Sequence, residues 1–230
     1  MGSGNTDIIQ LLAAQTDSNG EAENAPPNFQ FEVVRAFQEK QQLFLQVRQR
    51  ASDMVDWVTM SLLNTDQGGR ANIVHQITNR NVPRINPDRT RVAGTGSIDL
   101  TADASRTRAI VMGFAKAVFL AGDADACRDW LDVEQFRSYN PYMEPSFHGF
   151  VDFLRQEMSR PDPLRYVCIS DIVAQGDFAA IFSIIDFRGG EYRACDLFRV
   201  DDGKIVEHWD IAECSDHQRP AGNDRRFMPL

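Results

Sequence analysis

Residues 194–211 read ACDLFRVDDGKIVEHWDI, which is two strand-like apolar runs on either side of a DDG turn. Gly203 suits the left-handed position of a short loop, so the segment predicts a β-hairpin with a three-residue connection. In that register Val200 pairs with Lys204, and Asp196 therefore pairs with His208. The predicted hairpin places a carboxylate beside an imidazole.

One face of this hairpin is expected to carry the ionisable groups, because side chains alternate across a strand. Desolvation raises the pKa of a carboxyl group in an apolar row, and a neighbouring histidine can orient it. Asp196 and His208 are thus a candidate acid–base pair, and the alternative is a buried hydrogen bond that only joins the strands. The predicted face holds Tyr192, Ala194, Asp196, Phe198, Val206, His208 and Asp210, and the opposite face holds Cys195, Leu197, Ile205, Glu207, Trp209 and Ile211.

The composition is that of a globular protein, with 43% hydrophobic residues, 25% charged residues and a net charge of −9 over 230 residues. The negative charge disfavours nucleic-acid and anionic membrane partners, and no apolar run reaches the ~20 residues of a membrane span. Arginine-rich residues 80–91 are interrupted by Pro83 and Pro87, which predicts a solvated linker. Four cysteines without paired metal spacing favour a reducing cytoplasm and no metal site.

Two segments, residues 31–77 and 166–211, follow one pattern of strand-like runs separated by turn-forming residues. The period is too long for a solenoid, so the pattern predicts a tandem duplication of a four-stranded meander. Any chemistry is expected in the second copy, because the first copy lacks the ionisable residues. The predicted first-copy counterparts of Asp196, His208 and Asp210 are Ser61, Val74 and Gln76.

Helical patterns precede only the second copy. Apolar spacing predicts a helix that begins at Asp103 or Ser105 and stops at Gly122, and two more over residues 124–131 and 147–158. The first copy has only a brief apolar run at residues 8–14. Helices followed by a meander indicate an α+β fold. The expected parts are a degenerate first repeat at 1–78, a linker at 79–101, a complete domain at 102–214 and a tail at 215–230.

Residues 196–210, DLFRVDDGKIVEHWD, closely resemble the C-terminal signature of SnoaL-like proteins, within the superfamily named for nuclear transport factor 2. Residues 136–141, FRSYNP, are similar to a family motif that reads aromatic-x-Gln-His-Asn-Pro, with Ser138 and Tyr139 in place of Gln and His. The resemblance covers residues 106–211 well and extends weakly over residues 31–77. Residues 223–227 are also similar to the tail of tandem members.

This resemblance implies a cone-shaped α+β barrel, in which a curved antiparallel sheet and packed N-terminal helices enclose a cavity for a small hydrophobic molecule. In this chain the barrel is duplicated and the first copy lacks its leading helices. Family members associate through the exposed sheet face. A homodimer through sheet faces is therefore possible, and a tandem chain could make the same contact internally.

The resemblance also implies a cofactor-independent cyclase, isomerase or dehydratase acting on a small hydrophobic carbonyl compound such as a polyketide or terpenoid. Asp196 is then the base and His208 its orienting partner, with Tyr139 or Asn140 as donor to the substrate oxygen. The alternative is a non-catalytic scaffold that binds a small ligand or another protein. The expected substrate contacts are Tyr139, Asn140, Asp210, Phe198 and Tyr192.

Overall fold

Two sheets make up most of the computed structural model, which describes residues 30–52, 55–66, 68, 70–81 and 90–215. The expected apolar run at 8–14, the prolines of the linker and the tail similarity at 223–227 lie outside these residues. Within the described ranges, no helix is long and apolar enough to cross a membrane.

The first sheet is a four-stranded antiparallel meander in the order β1-β2-β3-β4. Apolar residues follow one another directly in the middle strands, as in Leu43-Phe44-Leu45 and Leu62-Leu63, so both faces of this sheet carry buried side chains. The strands are β1 Gln30–Glu39, β2 Gln42–Ser52, β3 Val55–Thr65 and β4 Ala71–Arg80.

The second sheet has five strands in the order β5-β9-β8-β7-β6. Its last four strands form an antiparallel meander, and the short β5 pairs in parallel with β9. Each copy therefore contains the expected meander, whereas the duplication itself stays a prediction. The strands are β5 Arg137–Ser138, β6 Arg165–Gln175, β7 Phe178–Phe187, β8 Gly190–Asp201 and β9 Lys204–Cys214.

The three predicted helices are present before and between the strands of the second sheet. Asp103 caps the first by accepting from the backbone N–H of Ser105, and Ser146 caps the third by accepting from that of Gly149. The α+β fold class is thereby confirmed. The segments are α1 Ala104–Phe114 with a π-helical continuation Ala115–Leu120, a 3₁₀ turn Ala124–Ala126 leading into α2 Cys127–Trp130, and α3 Phe147–Met158.

The second sheet is covered on both faces. Its inner face packs against α1, its continuation and α3 through residues such as Phe114, Phe150 and Phe198. Its other face packs against the first sheet around Phe44 and the fully buried Trp209. The internal contact between the two sheets that a tandem chain could make is thus present, while a homodimer stays a prediction.

The described part of the expected linker is not solvated. Arg91 is fully buried and donates from Nε to the backbone oxygen of Asp210 at 2.9 Å, so the prediction of a solvated segment is wrong at this residue. The backbone oxygen of Ala93 accepts hydrogen bonds from Trp209 and Arg35, at 2.8 and 2.7 Å. Buried backbone groups need such partners, and the linker thereby becomes part of the contact between the sheets.

Candidate active site

The turn of the β8–β9 hairpin is tighter than predicted. Asp202 and Gly203 both have positive φ, 44° and 80°, which is the backbone of a two-residue type I′ turn. Asp201 pairs with Lys204 across it, so the predicted pairing of Val200 with Lys204 is wrong.

A β-bulge follows this turn. Val200 pairs with Ile205 whereas Arg199 pairs with Glu207, which leaves Val206 as the extra residue. Because of the bulge, the side chain of Ile205 lies on the face of the sheet that packs against the helices. The prediction that Ile205 shares a face with Trp209 is therefore wrong.

The two features together move the register by two residues. Asp196 lies opposite Asp210 instead of His208, and His208 lies opposite Phe198. Since side chains alternate with a period of two, this shift leaves the three ionisable side chains on one face. They are the acidic trio of the site: Asp196, His208 and Asp210.

Asp196 and His208 are in contact despite the changed register. The imidazole Nε2 lies 3.0 Å from Oδ1 of Asp196, and both residues are buried. The Oγ of Ser138 lies 3.2 Å from the other imidazole nitrogen, Nδ1. Rings of Phe198 and Phe150 flank the imidazole with centroids 5.0 and 5.1 Å away. The ring of His208 is thereby held in one orientation.

The surroundings of Asp196 favour its protonated form. Desolvation by burial raises the pKa of this carboxyl group, while the hydrogen bond from His208 opposes the rise and the charge of Asp210 adds to it. Tyr166, at the start of β6, donates its hydroxyl to the two carboxylate oxygens at 3.3 and 3.2 Å. Burial raises the pKa of Tyr166 well above its usual value, so this hydroxyl stays a donor.

Asp210 is the second carboxyl group of the site. Its Oδ2 accepts a hydrogen bond from Nδ2 of Asn140 at 2.9 Å, whereas its Oδ1 is buried without a hydrogen-bond partner in the described structure. Arg91 lies close to Asp210 and donates to its backbone oxygen. Burial lowers the pKa of the Arg91 guanidinium, and the charge of Asp210 opposes that effect. The arginine balances the charge of the trio from outside the pocket.

A mainly apolar pocket lies over the trio. It encloses about 210 Å³ of empty space, including a part open to solvent, and its interior has room for about one water molecule. The polar lining groups are Tyr166, Asp196, His208 and Asp210. The apolar lining residues are Phe119, Met143, Phe150, Phe153, Leu154 and Leu164.

The expected substrate contacts are only partly brought together here. Asp210 lines the pocket. Asn140 is not a lining residue, but it donates a hydrogen bond to Asp210. Phe198 lies beneath the His208 ring and is fully buried. Tyr192 packs near Phe187 at the far end of β8, away from the residues that line the pocket.

Tyr139 points to the other side of the second sheet. Its ring stacks on Trp209 with centroids 5.1 Å apart, and its hydroxyl donates to Oε1 of Glu207 at 2.9 Å. It packs in the cluster between the sheets, so the expectation that Tyr139 donates to a substrate oxygen is wrong. Alternation along the chain explains this, because neighbours Ser138 and Asn140 face the trio.

Two residues of the site were missed as polar groups near the substrate, Tyr166 and Ser138. Ser138 belongs to β5 and pairs with His208, but two residues are too short for a strand pattern to be visible in the sequence. No alternation in the sequence marks Tyr166 either, because its neighbour Val167 is apolar although it is 53% exposed. The contact of Tyr166 with Asp196 depends on the order of the strands.

The trio is also the group of described residues that could hold a metal ion. One ligand atom from each of Asp196, His208 and Asp210 lies within 4.8 Å of the other two. Two carboxylates and an imidazole are acceptable ligands for several divalent metals. However, the hydrogen bond between His208 and Asp196 would have to open for both to turn towards an ion.

The first sheet has no counterpart of this trio among its described residues. Ser61 lies opposite Gln76, as Asp196 lies opposite Asp210. Leu63 lies opposite Ile73, as Phe198 lies opposite His208. The predicted counterpart of His208, Val74, instead falls in a bulge of β4 and is 40% exposed.

Comparison with solved structures finds proteins that are similar to about half of this chain. TsrD from Streptomyces laurentii is 22% identical over 48% of this chain and 90% of its own, with a TM-score of 0.41. Wild-type IdmH from Streptomyces antibioticus, provisionally described as a polyketide cyclase, is 21% identical over 46% and 91%, with a TM-score of 0.39. A protein from Kribbella flavida, provisionally described as a ketosteroid isomerase, is 15% identical over 56% and 93%, with a TM-score of 0.42.

Comparison with curated proteins finds no match. The family model described as a SnoaL-like domain matches residues 112–208, which begin in α1 and end at His208. This range includes α2, α3, the Asp196–His208 contact and every residue that lines the pocket except Asp210. Residues 112–208 are therefore similar to a SnoaL-like domain.

Proposed function

We propose that this domain is a cofactor-independent acid–base enzyme that moves a proton on a small apolar carbonyl compound. The reaction would be an aldol-type cyclisation, an isomerisation or a dehydration. The observation that carries the proposal is the buried contact of 3.0 Å between Asp196 and His208 on the wall of an apolar pocket. A carboxyl group whose pKa is raised by burial holds its proton closer to neutral pH, as proton-transfer catalysis requires.

Asp196 is the proposed base and His208 its orienting partner. In the ionised form the carboxylate of Asp196 takes a proton from the carbon next to the carbonyl group. The hydrogen bond from His208 stabilises that ionised form, which opposes the effect of burial on the pKa. Ser138 supports this role because it holds the second imidazole nitrogen.

Asp210 competes with Asp196 for the role of base. Its Oδ1 is free of hydrogen bonds in the described structure, whereas Asp196 already accepts from His208 and Tyr166. The charge of Asp210 also raises the pKa of Asp196. We therefore expect one of the two carboxyl groups to take the substrate proton while the other binds a substrate hydroxyl.

Tyr166 replaces Tyr139 as the proposed donor to the substrate oxygen. Its hydroxyl lies inside the pocket and remains protonated at neutral pH because burial raises its pKa. A phenol at this place can stabilise the negative charge that develops on a carbonyl oxygen as the neighbouring proton leaves. To do so the hydroxyl turns from Asp196 towards the substrate. Asn140 is an alternative donor, because its Nδ2 carries a second hydrogen besides the one it donates to Asp210.

The size of the pocket limits the substrate. An interior with room for about one water molecule must widen before it can hold a carbonyl compound of several carbons. Met143 and the half-buried Phe153 line the pocket, and methionine adapts readily to new shapes. The same small volume favours the second candidate function, a scaffold in which the trio is a buried structural network.

Deuterium exchange tests the proposal and separates the two candidates. Small cyclic ketones are incubated with the protein in D₂O, and NMR measures deuterium uptake at the carbon next to the carbonyl. We expect catalysed uptake that Asp196→Asn or Asp210→Asn lowers on the order of 100-fold or more.

Asp201→Asn is the matched control, since Asp201 lies on the same strand but is 61% exposed. It should leave uptake unchanged. Absence of catalysed uptake in the wild type and in every variant, at protein concentrations where all of them are folded, would support the scaffold and contradict the enzyme.

A further inference from the structure

The first sheet has an outer face, on the side away from the second sheet, that is buried at its centre. Leu45, Val47 and Leu63 are 3%, 1% and 0% exposed. Their neighbours along the strands, Phe44 and Leu62, pack towards the second sheet, so alternation places these three on the outer face.

The described residues do not account for this burial. All of the described hydrophobic side chains that pack against the outer face belong to the same sheet: Phe31, Val33, Leu43, Ala71 and Ile73. Neighbours within a sheet lie beside a side chain and cannot shield it from above. Another part of the chain or a second molecule must therefore cover the outer face.

The outer face corresponds to the helix-covered face of the second sheet. Ser61 lies opposite Gln76 on β3 and β4 in the way that Asp196 lies opposite Asp210 on β8 and β9. On the second sheet, α1 and α3 shield that face. The first sheet has the same need for a cover but no described helix of its own.

Three long segments outside the described residues could supply the cover. Residues 82–89 read VPRINPDR, and residues 216–230 read DHQRPAGNDRRFMPL, and both are rich in proline and charge. Residues 8–14 read IIQLLAA, in which Ile8, Leu11 and Leu12 recur at the spacing of one helical face. This run is the most apolar of the candidates.

The position of this run in the chain also fits. Residue 29 leads directly into β1, whose Phe31 packs on the outer face, so the chain reaches the sheet at the margin of that face. The 15 residues from 15 to 29 can span up to about 50 Å when extended. That reach is several times the width of four strands spaced about 5 Å apart.

We propose that residues 8–14 dock on the outer face of the first sheet and take the place that α1 and α3 hold over the second sheet. The chain then consists of two sheets packed back to back, each shielded by its own apolar cover. The docked segment covers the degenerate copy but creates no second acidic site. The residues that correspond to Asp196 and Asp210 are Ser61 and Gln76, which are neutral.

The labelling rate of a cysteine placed beneath the cover tests this docking. Ser61→Cys is introduced into a chain that also carries Cys168→Ser and Cys214→Ser, since those cysteines are exposed or half-buried. Maleimide labelling is followed by peptide mass spectrometry. Cys195, buried between the sheets, reports global unfolding in the same sample.

We expect Leu11→Asp with Leu12→Asp to raise the labelling rate at position 61 on the order of tenfold or more while Cys195 stays protected. Gln10→Asp with Ala14→Asp adds the same charge on the opposite helical face and should leave the rate unchanged. If the variant with Leu11→Asp and Leu12→Asp also exposes Cys195, a variant with Leu11→Ala and Leu12→Ala replaces it. The labelling rate at position 61 should again rise while Cys195 stays protected.

Two results would overturn the proposal. Equal labelling rates at position 61 in the paired variants and their control would show that residues 8–14 are not the cover. Labelling that accelerates on dilution of the otherwise unchanged chain, together with a fall in mass from dimer to monomer, would assign the outer face to a second copy.

Discussion

The imidazole of His208 reaches Asp196 diagonally across two strands, with Nε2 3.0 Å from Oδ1, although the backbone pairs His208 with Phe198. Diagonal neighbours on a sheet are farther apart than direct ones, so the contact depends on the long imidazole side chain. Ser138 holds the opposite nitrogen and stops the ring from turning away. The pair is therefore kept together by three strands.

Asp196→Asn should change how stability depends on pH. Burial raises the pKa of Asp196 in the folded chain above its value of about 4 in the unfolded chain. The folded state then binds this proton more tightly, and the stabilisation is present below the unfolded pKa and lost as pH rises through the folded pKa.

The free energy of unfolding of the wild type, relative to Asp196→Asn, should therefore fall as the pH rises above the unfolded-state pKa of about 4. Urea denaturation at several pH values measures it, with Asp201→Asn as the control that shows no such trend. A difference that grows with pH would contradict a raised pKa.

Tyr166→Phe should lower the rate of deuterium uptake by about 10- to 100-fold and leave the fold intact. The ring would keep its stack on Phe119, where the centroids are 4.0 Å apart, and only the hydroxyl near Asp196 would be lost. Because that hydrogen bond lowers the pKa of Asp196, the rise of activity with pH should also move to higher pH. Tyr192→Phe, away from the pocket, should match the wild type, and an equal loss in both variants would rule out a specific role for Tyr166.

Removal of divalent metals should leave activity unchanged. Dialysis against EDTA, followed by the same deuterium-uptake measurement, checks this directly. If activity falls and returns on addition of one particular metal, the trio of Asp196, His208 and Asp210 is a metal site. The proposed cofactor-independent mechanism would then be wrong.

Gly203→Ala should destabilise the protein by about 1–2 kcal/mol or more. Gly203 has a φ of 80°, and an added Cβ would lie 2.7 Å from Nη2 of Arg106. Gly189→Ala is the matched control, because its φ is 79° but the nearest atom would be 4.0 Å away. Urea denaturation should show a larger loss for Gly203, and equal losses would show that Arg106 moves aside freely.

Arg35→Lys should weaken the contact between the sheets. The Arg35 guanidinium lies 4.1 Å from the centre of the Trp209 ring and donates to the backbone oxygens of Thr95 and Ala93. A lysine cannot reproduce this fork, so we expect a loss of about 1–3 kcal/mol in unfolding free energy.

Arg50→Lys provides the comparison for this measurement. Arg50 is 46% exposed and lies 3.8 Å from Glu32, so its replacement should change stability by less than about 0.5 kcal/mol. Similar losses for the two variants in urea denaturation would mean that the buried fork contributes nothing specific.

Local periodicity made much of the fold predictable. Helix α3 spans the predicted residues 147–158, and Asp103 caps α1 as predicted. Both were predictable because a helix cap and an apolar stripe depend only on residues close together in the sequence. The common face of Asp196, His208 and Asp210 was predictable for the same reason, since alternation along a strand survives a register shift of two.

Packing at a distance decided the rest of the site. A three-residue loop and a two-residue turn with a bulge both suit the DDG segment, and the bulge is what lets Ile205 join the helix-side core beside Leu131. Likewise Tyr166 meets Asp196 because of the order of the strands. The stacking partner of Tyr139, Trp209, also comes from a distant part of the chain.

The sequence alone thus determined the fold class and the residues that share the acidic face, because both depend on periodic patterns within single strands and helices. The tertiary structure alone decided which residues meet across strands, the burial of Arg91 and the packing of the two sheets back to back. These contacts join residues far apart in the chain, and their free energy depends on neighbours that no local pattern specifies.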